Sequence, residues 1–365
     1  MIDTSAIHSR APSAARFVGA SRARRALAAT SIAATLGAFA QAAPAAAQPA
    51  AEFFKGKTMT VIVYTTSGSG YDTLGRMFSR HMPHYLAGAP TMIVKNMPGA
   101  GGLTATRYLY YTAPKDGTVF GTIGRGIPYE PLLGGAGTVD FDPLKFTWLG
   151  SPSRESSLAM AWHTASVKTA QDLFARELLV AGTGASADSE IVPKTLNGLI
   201  GTKFKIISGY EGVNRAALAV EGGEIEGLAY WSWGALKANK PDWVRDKKVN
   251  LLFQTAAVPH PEIPHVPSVM SLAKTDAQRQ AIELLFARDI VARPFVAPPD
   301  VPADRAAVLK GAFAATMKDA TFLSEAQKQA LDIDVVSAEE SEAVLKRAFA
   351  TPAEVVATVR KAMGR

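Results

Sequence analysis

A strand followed by a loop rich in glycine and hydroxyl residues, and then by a helix, occurs in both halves of the chain. In the first half, the apolar run 59–64 precedes the loop 65–72 and a helical pattern. In the second half, the run 178–181 precedes the loop 182–188 and another helix. Other predicted strands lie at 91–95, 118–123, 204–207 and 225–231. Strands that alternate with helices over short loops are typical of mostly parallel sheets, so we predict an α/β protein with two lobes.

The first 47 residues have the features of a secretory signal peptide. A polar, basic segment leads into the uncharged run 26–40, and the small residues 45–47 form a cleavage site. This run of about 15 residues is shorter than the roughly 20 that a membrane-spanning helix needs. We therefore predict an exported, periplasmic protein that loses residues 1–47. The pair Arg24-Arg25 leaves the twin-arginine route open beside the general one.

Most of the net charge of +7 comes from this segment, which has five Arg and one Asp. Its removal lowers the net charge to +3, without the basic stripe that nucleic-acid binding requires. No nucleic-acid partner is therefore predicted. The chain has no cysteine, which excludes a disulfide scaffold, thiol catalysis and Cys-ligated metal.

Changes in composition along the chain suggest its domain organisation. We predict a first lobe at 48–157, a second lobe at 158–288, and a return crossing with C-terminal helices of the first lobe at 289–365. The proline-rich segment 258–267 is predicted to be an extended surface crossing, and 293–299 is predicted to be an extended linker.

The loops that follow the strands have the composition of an anion-binding site. A helix N-terminus presents unpaired backbone N–H groups and a partial positive charge, glycine allows close approach, and hydroxyls add donors. The loops 65–72 and 182–188 fit this description, and 208–214 fits it more weakly. Each loop alone is better explained by simple N-capping, with Asp72, Asp188 and Asn214 serving their own helices. The pair, one in each half, favours a cleft that binds a carboxylate or a phosphate.

Two further features lie at predicted strand ends. Arg125 stands between two glycines, where a guanidinium suits bidentate capture of a carboxylate, although an ordinary surface arginine fits as well. Trp231, Ser232 and Trp233 could close over a flat ligand, but packing in the core is the commoner role of such a cluster. Glu155 follows Arg154 directly and is expected to neutralise it.

The chain lacks the residue patterns of common enzymes and nucleotide-binding proteins. It contains neither the full Walker A pattern nor a Gly-x-Ser-x-Gly elbow, and Thr73 stands where a dinucleotide fingerprint needs glycine. An exported hydrolase would need a general base, and Asp72, Asp188 and Glu190 offer no catalytic partner. We predict no enzyme activity, no catalytic residue, no metal and no cofactor.

Several segments resemble the TctC/Bug family, the periplasmic substrate-binding proteins of tripartite tricarboxylate transporters. The most specific match is Val94-Lys-Asn-Met-Pro-Gly-Ala-Gly-Gly102, which is similar to the family's Val-x-Asn-x-Pro-Gly-Ala-Gly-Gly signature. The other matching segments are the opening strand and loop at 61–76, the turn at 114–118, the second ligand loop at 182–186 and the segment 264–268. The resemblance covers nearly all of 57–365.

The resemblance implies a Venus flytrap of the periplasmic-binding-protein type, with two crossing strands as its hinge. It also implies that amides and hydroxyls of the two loops hold a ligand carboxylate. The residues carried over by position are Thr66, Ser67, Gly68, Ser69, Gly70 and Asp72 in the first loop and Thr183, Gly184, Ala185 and Ser186 in the second. Trp231 and Trp233 are bulkier than is usual in the family, which favours a bulky or aromatic carboxylate.

These observations predict a monomeric receptor that captures a small organic carboxylate and delivers it to the integral membrane permease of a tripartite tricarboxylate-type transporter. The predicted ligand-binding residues are those of the two loops together with Arg125, Trp231 and Ser232. A sensor that presents the same ligand to a membrane kinase would use the same cleft, and an exported hydrolase is the remaining alternative.

Overall fold

The computed structural model describes residues 50, 52–134, 139–184, 187–329 and 331–365. The predicted signal peptide at 1–47 lies outside the described residues, and so do Ala185 and Ser186 of the second loop. Among the residues that are described, no helix combines the length and the apolar character needed to cross a membrane.

Strands and helices alternate along most of the chain. The strands are β1 (Thr58–Val63), β2 (Thr91–Asn96), β3 (Val119–Thr122), β4 (Thr147–Ser151), β5 (Ser157–Trp162), β6 (Leu178–Gly182), β7 (Phe204–Ser208), β8 (Gly227–Ser232), β9 (Val249–Gln254), β10 (Phe295–Ala297) and β11 (Val336–Ser337). The helices are α1 (Gly70–His81), α2 (Leu103–Arg107), α3 (Glu130–Leu133), α4 (Asp188–Ile200), α5 (Val213–Glu221), α6 (Trp233–Asn239), α7 (Pro241–Arg245), α8 (Asp276–Ile290), α9 (Ala303–Thr316), α10 (Ala320–Lys328), α11 (Ala338–Phe349) and α12 (Ala353–Met363).

The repeated unit of strand, loop and helix is present in both halves, with β1 leading to α1 and β6 leading to α4. Local sequence explains where these helices begin and end. The Ser69 hydroxyl accepts a hydrogen bond from the Asp72 amide and caps α1. Gly201 ends α4 in the left-handed region, at a φ of 80°, which a residue without a Cβ adopts at little cost.

The described strands form two mixed sheets. The first sheet has the order β11-β4-β10-β3-β1-β2, and the second has the order β7-β6-β8-β5-β9. In the first sheet β1, β2, β3 and β4 run in one direction, while β10 and β11 run against them. In the second sheet only β5 runs against the others. The predicted α/β architecture, with mostly parallel strand directions in each lobe, is confirmed.

The chain crosses between the sheets at 152–156, after β4, and returns at 291–294, before β10. The two crossings lie side by side. The Glu155 amide donates to the Asp289 carbonyl over 2.9 Å, and the Ala292 amide donates to the Ser153 carbonyl over 3.3 Å. This pair is the two-strand connection that a hinge requires. The domain boundaries drawn from the sequence stay a prediction.

The last helix contacts elements beside both sheets. It packs on α4, where a Cβ added at Gly198 would lie 3.0 Å from the Cβ of Ala362. The missing side chain of Gly198 therefore lets α12 and α4 approach closely. At the other side, the Arg360 Nε donates to the Leu132 carbonyl of α3 over 2.8 Å. The helix α12 thus joins the two lobes directly.

Candidate functional site

The carboxyl ends of β1, β3, β6 and β8 meet at a cleft that holds two adjoining cavities. The interlobe cavity, of about 640 Å³, is lined by Tyr64 and Tyr71 from the first lobe and by Ile191 from the second. The second-lobe cavity, of about 360 Å³, is lined largely by β8 and the first turns of α4, α5 and α6. Both volumes suit a small-molecule ligand. The residues that line both cavities are Arg125, Glu155, Ala187 and Asp188.

A cluster of six charged side chains lies where the cavities adjoin, and we call it the charge cluster. Arg125 contacts Glu155 over 2.5 Å and Asp188 over 2.6 Å, and its Nη1 lies 3.6 Å from Asp289. The contact with Asp188 joins the first lobe to the first turn of α4 in the second. Two further arginines complete the charge cluster, Arg288 at 3.2 Å from Asp188 and Arg293 at 3.1 Å from Glu155.

Pairing outweighs burial at the members of the charge cluster whose pKa is shifted, with one exception. Burial alone would raise the pKa of Asp188, but Arg125 and Arg288 outweigh burial and lower it. Burial would likewise lower the pKa of Arg125, but its acidic neighbours raise it well above the ordinary value. Asp289 is the exception, because burial raises its pKa to about 6 despite the nearby Arg125 and a hydrogen bond from Tyr230.

Asp72 organises the first loop from within. Its carboxylate accepts hydrogen bonds from the Gly68 amide over 2.8 Å, from Arg76 over 2.9 Å and from Asn96 over 2.8 Å. Burial would raise the pKa of Asp72, but these donors outweigh burial and lower it from 3.8 to about 2. Asp72 therefore fixes the shape of the loop, and its carboxylate is already occupied by partners within the loop and the neighbouring strand β2.

The remaining residues of the first loop lie beside the cleft. Thr66 to Gly70 line neither cavity, whereas Tyr71, the second residue of α1, lines the interlobe cavity. The Ser69 hydroxyl is engaged as the helix cap, and the Ser67 hydroxyl lies 3.3 Å from Asp72. A Cβ at Gly70 would lie 2.8 Å from Arg293, so glycine there lets the charge cluster reach the start of α1.

The second loop is also held by side chains from the helix that it opens. Thr183 lines the second-lobe cavity, and both its amide and its hydroxyl pair with the Ser189 hydroxyl, over 3.0 and 2.9 Å. The Gly184 amide donates to Glu190 over 3.0 Å. The helix α4 starts directly at the cleft, since its N-cap Ala187 and its first residue Asp188 line both cavities.

Three of the four tryptophans of the second lobe, Trp231, Trp233 and Trp243, differ in what they contact. Trp231 is buried and lines the second-lobe cavity together with Ser232, whose hydroxyl caps α6. Trp233 does not line it, and its indole N–H donates to Glu262 over 2.6 Å. The indole N–H of Trp243 donates to Glu221 over 2.8 Å. The indole N–H of Trp231 is buried and has no hydrogen-bond partner among the described residues.

Several residues at the cleft were not singled out from the sequence. Tyr64 and Tyr71 pack edge to face, with ring centroids 4.6 Å apart, and Tyr230 lies under the Arg125 guanidinium at 5.2 Å. Each tyrosine lies near a strand end or a helix start, and this position is the feature of the sequence from which a place at the cleft could have been predicted. Ser157, Arg288 and Asp289 gave none, because no local pattern marks them.

The expected pairing of Arg154 with Glu155 is wrong. Arg154 contacts Glu340 of α11 over 2.7 Å, whereas Glu155 turns to Arg125 and Arg293 in the cleft. Neighbouring side chains in a crossing segment reach different elements, so adjacency in sequence does not imply an ion pair.

No group of three or more side chains suited to holding a metal ion is present among the described residues.

No protein-family model matches the sequence, and no curated protein matches it either. Solved structures match it in fold. A TctC solute-binding protein from Polaromonas is 18% identical and superposes with a TM-score of 0.65, over 84% of this chain and 98% of its own. The chain has the fold of the TctC solute-binding proteins. The predicted resemblance to the TctC/Bug family is thereby confirmed at the level of the fold.

Two other neighbours with this TctC fold were solved with a dicarboxylate. A Rhodopseudomonas palustris protein with adipate is 18% identical and gives a TM-score of 0.58, over 83% of this chain and 97% of its own. MatC from the same organism, with bound malate, is 19% identical and gives a TM-score of 0.56, over 82% and 99%. Within its own TctC fold, this chain brings Arg125, Thr183, Trp231 and Ser232 to the cavity walls, and their role in binding stays a prediction.

Proposed function

We propose that this protein is an exported receptor of the TctC/Bug type that binds a small organic carboxylate in the cleft between its lobes. The observation that carries the proposal is the pair of adjoining cavities at the carboxyl ends of β1, β3, β6 and β8, in a fold whose solved neighbours are solute-binding proteins. The side-by-side crossings at 152–156 and 291–294 support a binding mode in which the lobes close over the ligand.

The ligand carboxylate binds in the interlobe cavity, beside Arg125 and the starts of α1 and α4. These starts supply backbone N–H groups and a partial positive charge. The Arg125 side chain is only 18% exposed, and its acidic neighbours raise its pKa well above the ordinary value. A ligand carboxylate there takes the place of Glu155 or Asp188 without stranding a charge, because each of these acids keeps a second arginine, Arg293 or Arg288. The body of the ligand extends into the second-lobe cavity, which has the more apolar wall.

The same proposal covers the cellular role. The protein acts in the periplasm after removal of residues 1–47, as a monomer without cofactor or enzyme activity, and hands its ligand to the membrane permease of a tripartite tricarboxylate-type transporter. The fold neighbours with adipate and malate support a carboxylate as the ligand class.

A thermal-shift screen tests the proposal. The purified protein is heated with mono-, di- and tricarboxylates, amino acids and nucleotides. We expect at least one carboxylate to raise Tm, because a ligand at 100 times its Kd stabilises the folded state by about 2.7 kcal/mol. A shift with nucleotides alone, or with none of the compounds, would contradict the proposal.

A pair of variants locates the binding site. Ala187→Trp places an indole where the two cavities adjoin and is expected to abolish the thermal shift. Ala303→Trp, at the exposed start of α9, adds the same bulk away from the cleft and is expected to retain it. Equal shifts in both variants would place the ligand elsewhere.

A further inference from the structure

Asp289 is the most enclosed acid of the charge cluster and the one with the poorest access to a cation. Its side chain is only 4% exposed, the lowest fraction among the three acids. The hydrogen bonds that it accepts come from two neutral groups, the hydroxyls of Tyr230 and Thr255. Among the described residues, its ion-pair contact is with Arg125, at 3.6 Å.

Arg125 divides its positive charge among three carboxylates. It contacts Glu155 over 2.5 Å and Asp188 over 2.6 Å, so both of these acids lie closer to it than Asp289 does. Each of the two closer acids also contacts a second arginine. Asp289 is therefore the acid whose negative charge is compensated least, and burial raises its pKa to about 6.

The other groups around Asp289 do not supply a further cation. The titratable and charged groups that surround it are Arg125 at the end of β3, Tyr129 before α3, Glu155 in the first crossing, Asp188 at the start of α4, Tyr230 in β8 and Arg288 on its own helix. Burial raises the pKa of both tyrosines, so they carry no charge near neutral pH. Arg288 is engaged by Asp188 over 3.2 Å.

The net charge of the cluster decides how well it receives an anion. With Asp289 ionised, three arginines match three carboxylates and the charge cluster is neutral. With a proton on Asp289, one positive charge is in excess, and a ligand carboxylate beside Arg125 restores neutrality. The same ligand leaves an excess negative charge when Asp289 is ionised, which is costly in a buried site.

From this geometry we propose that the site takes up two ligands together, a carboxylate beside Arg125 and a proton from the solvent on Asp289. The inference rests on the proposed function, which places the ligand carboxylate next to Arg125, and it adds a dependence of the affinity on pH. The bound anion raises the pKa of Asp289 further. By linkage, affinity is highest below the pKa of the free protein and falls as pH rises towards that of the complex.

Calorimetry of the wild type at pH 6, 7 and 8 tests the inference. The titrant is malate, adipate, benzoate or phenylacetate, whichever raises Tm most at pH 6. Simple carboxylic acids ionise at about pH 4, so the titrant is largely ionised over the whole range. We expect the affinity at pH 8 to be about fivefold lower than at pH 6, because binding at pH 8 has to protonate Asp289 or tolerate its charge.

The number of protons taken up is a direct readout of the second ligand. Titrations at pH 6.5 in two buffers with different enthalpies of ionisation yield this number from the difference in heat. We expect an uptake of roughly half a proton for each bound carboxylate. At this pH Asp289 is mostly ionised in the free protein and mostly protonated in the complex.

A matched pair of variants identifies the group that takes up the proton. Asp289→Asn keeps the shape of the neutral acid but cannot titrate, so it is expected to bind the carboxylate with nearly constant affinity from pH 6 to 8 and without proton uptake. Asp276→Asn makes the same substitution at the exposed first residue of α8, at the other end of the helix. This control is expected to keep both the pH dependence and the proton uptake of the wild type.

Tyr230→Phe tests the same carboxyl group without removing it. The Tyr230 hydroxyl donates to Asp289 and lowers its pKa, so the loss of the hydroxyl raises that pKa. The fall in affinity is therefore expected to move to higher pH, which titrations at pH 6, 7, 8 and 9 measure. Because this variant retains Asp289, the test does not depend on the folding of Asp289→Asn.

The outcomes separate the inference from the proposed function. Equal affinity at pH 6 and 8, binding without proton uptake, or a pH dependence that Asp289→Asn retains would overturn the inference while the carboxylate receptor stands. Failure of all four titrants, in a screen where another carboxylate binds, would overturn it as well. Failure of every carboxylate to bind a folded sample at pH 6 would overturn the proposed function and the inference together.

Discussion

Asp289 lies in α8 with its carboxyl group enclosed by Tyr230, Thr255 and Arg125. The Tyr230 hydroxyl donates to it over 2.6 Å and the Thr255 hydroxyl over 2.8 Å, while Arg125 stands 3.6 Å away. Burial raises its pKa from 3.8 to about 6, because the charge cluster does not fully replace the water that the carboxylate loses. The folded protein therefore holds a proton on Asp289 at a pH where the unfolded chain has released it.

This difference predicts how stability depends on pH. Between pH 3.8 and 6 the folded state binds more protons at Asp289 than the unfolded state, so this residue lowers stability as pH rises through that window, by about 3 kcal/mol in total. Above pH 6 the loss is complete and constant. Asp289→Asn is expected to remove this slope, as measured by urea denaturation at pH 4, 5, 6 and 7.

The exposed Glu224 provides the control for that measurement. Glu224→Gln replaces a carboxylate in a surface turn and is expected to leave the pH profile of the wild type unchanged. If Asp289→Asn and the wild type lose stability in parallel between pH 4 and 6, the carboxyl group is not held in its neutral form.

At the scale of single residues, the sequence could predict the position of Arg125 but not its partners. A residue between two glycines at a strand end must lie at the sheet edge, where the cleft forms. Its partners Glu155, Asp188 and Asp289 come from a crossing segment and two helices, and only folding brings them together. The same holds for Asp72, whose carboxylate closes its own loop instead of facing the cleft.

Two helical glycines show how element packing sets the effect of one added methyl group. At Gly311 in α9 an added Cβ would meet no atom within 4 Å apart from its chain neighbours and the adjacent backbone of its own helix, whereas at Gly198 in α4 an added Cβ would lie 3.0 Å from Ala362 of α12. Gly311→Ala is expected to raise the free energy of unfolding by about 0.5–1 kcal/mol, because alanine favours a helix. Gly198→Ala is expected to lower it by about 1 kcal/mol, because the crowding between α4 and α12 exceeds that gain.

Chemical denaturation of the two variants beside the wild type provides the test. Equal gains in both variants would mean that α12 does not pack closely on α4, and the direct connection between the lobes through the last helix would then be lost.

At the scale of elements, the strands that carry β-branched residues could be predicted, and others could not. The runs at β1 and β2 are rich in Val, Ile and Thr, and β7 has two consecutive Ile residues. The strand β5 has the sequence Ser-Leu-Ala-Met-Ala-Trp, which favours a strand only through its burial. The helix α8 was not predicted for another reason. Its residues Leu284 to Asp289 are consecutively buried, so it shows no apolar stripe.

For the molecule as a whole, the repeated unit of strand, loop and helix was enough to predict two α/β lobes. The repeated unit could not predict that α12 would contact both lobes, because this contact depends on Gly198 meeting Ala362 across the fold. The crossings at 152–156 and 291–294, the contact between Arg125 and Asp188, and α12 are the connections that any relative movement of the lobes has to accommodate.

Hydrogen exchange of the protein, with and without the carboxylate that raises Tm most in the screen, shows whether the ligand binds in the cleft between the lobes. A ligand in the cleft is expected to slow exchange at the end of β3 around Arg125, in the first turns of α4, and from the end of β8 into α6. Slower exchange confined to other regions, such as the contact between α8 and α11, would contradict a binding site between the lobes.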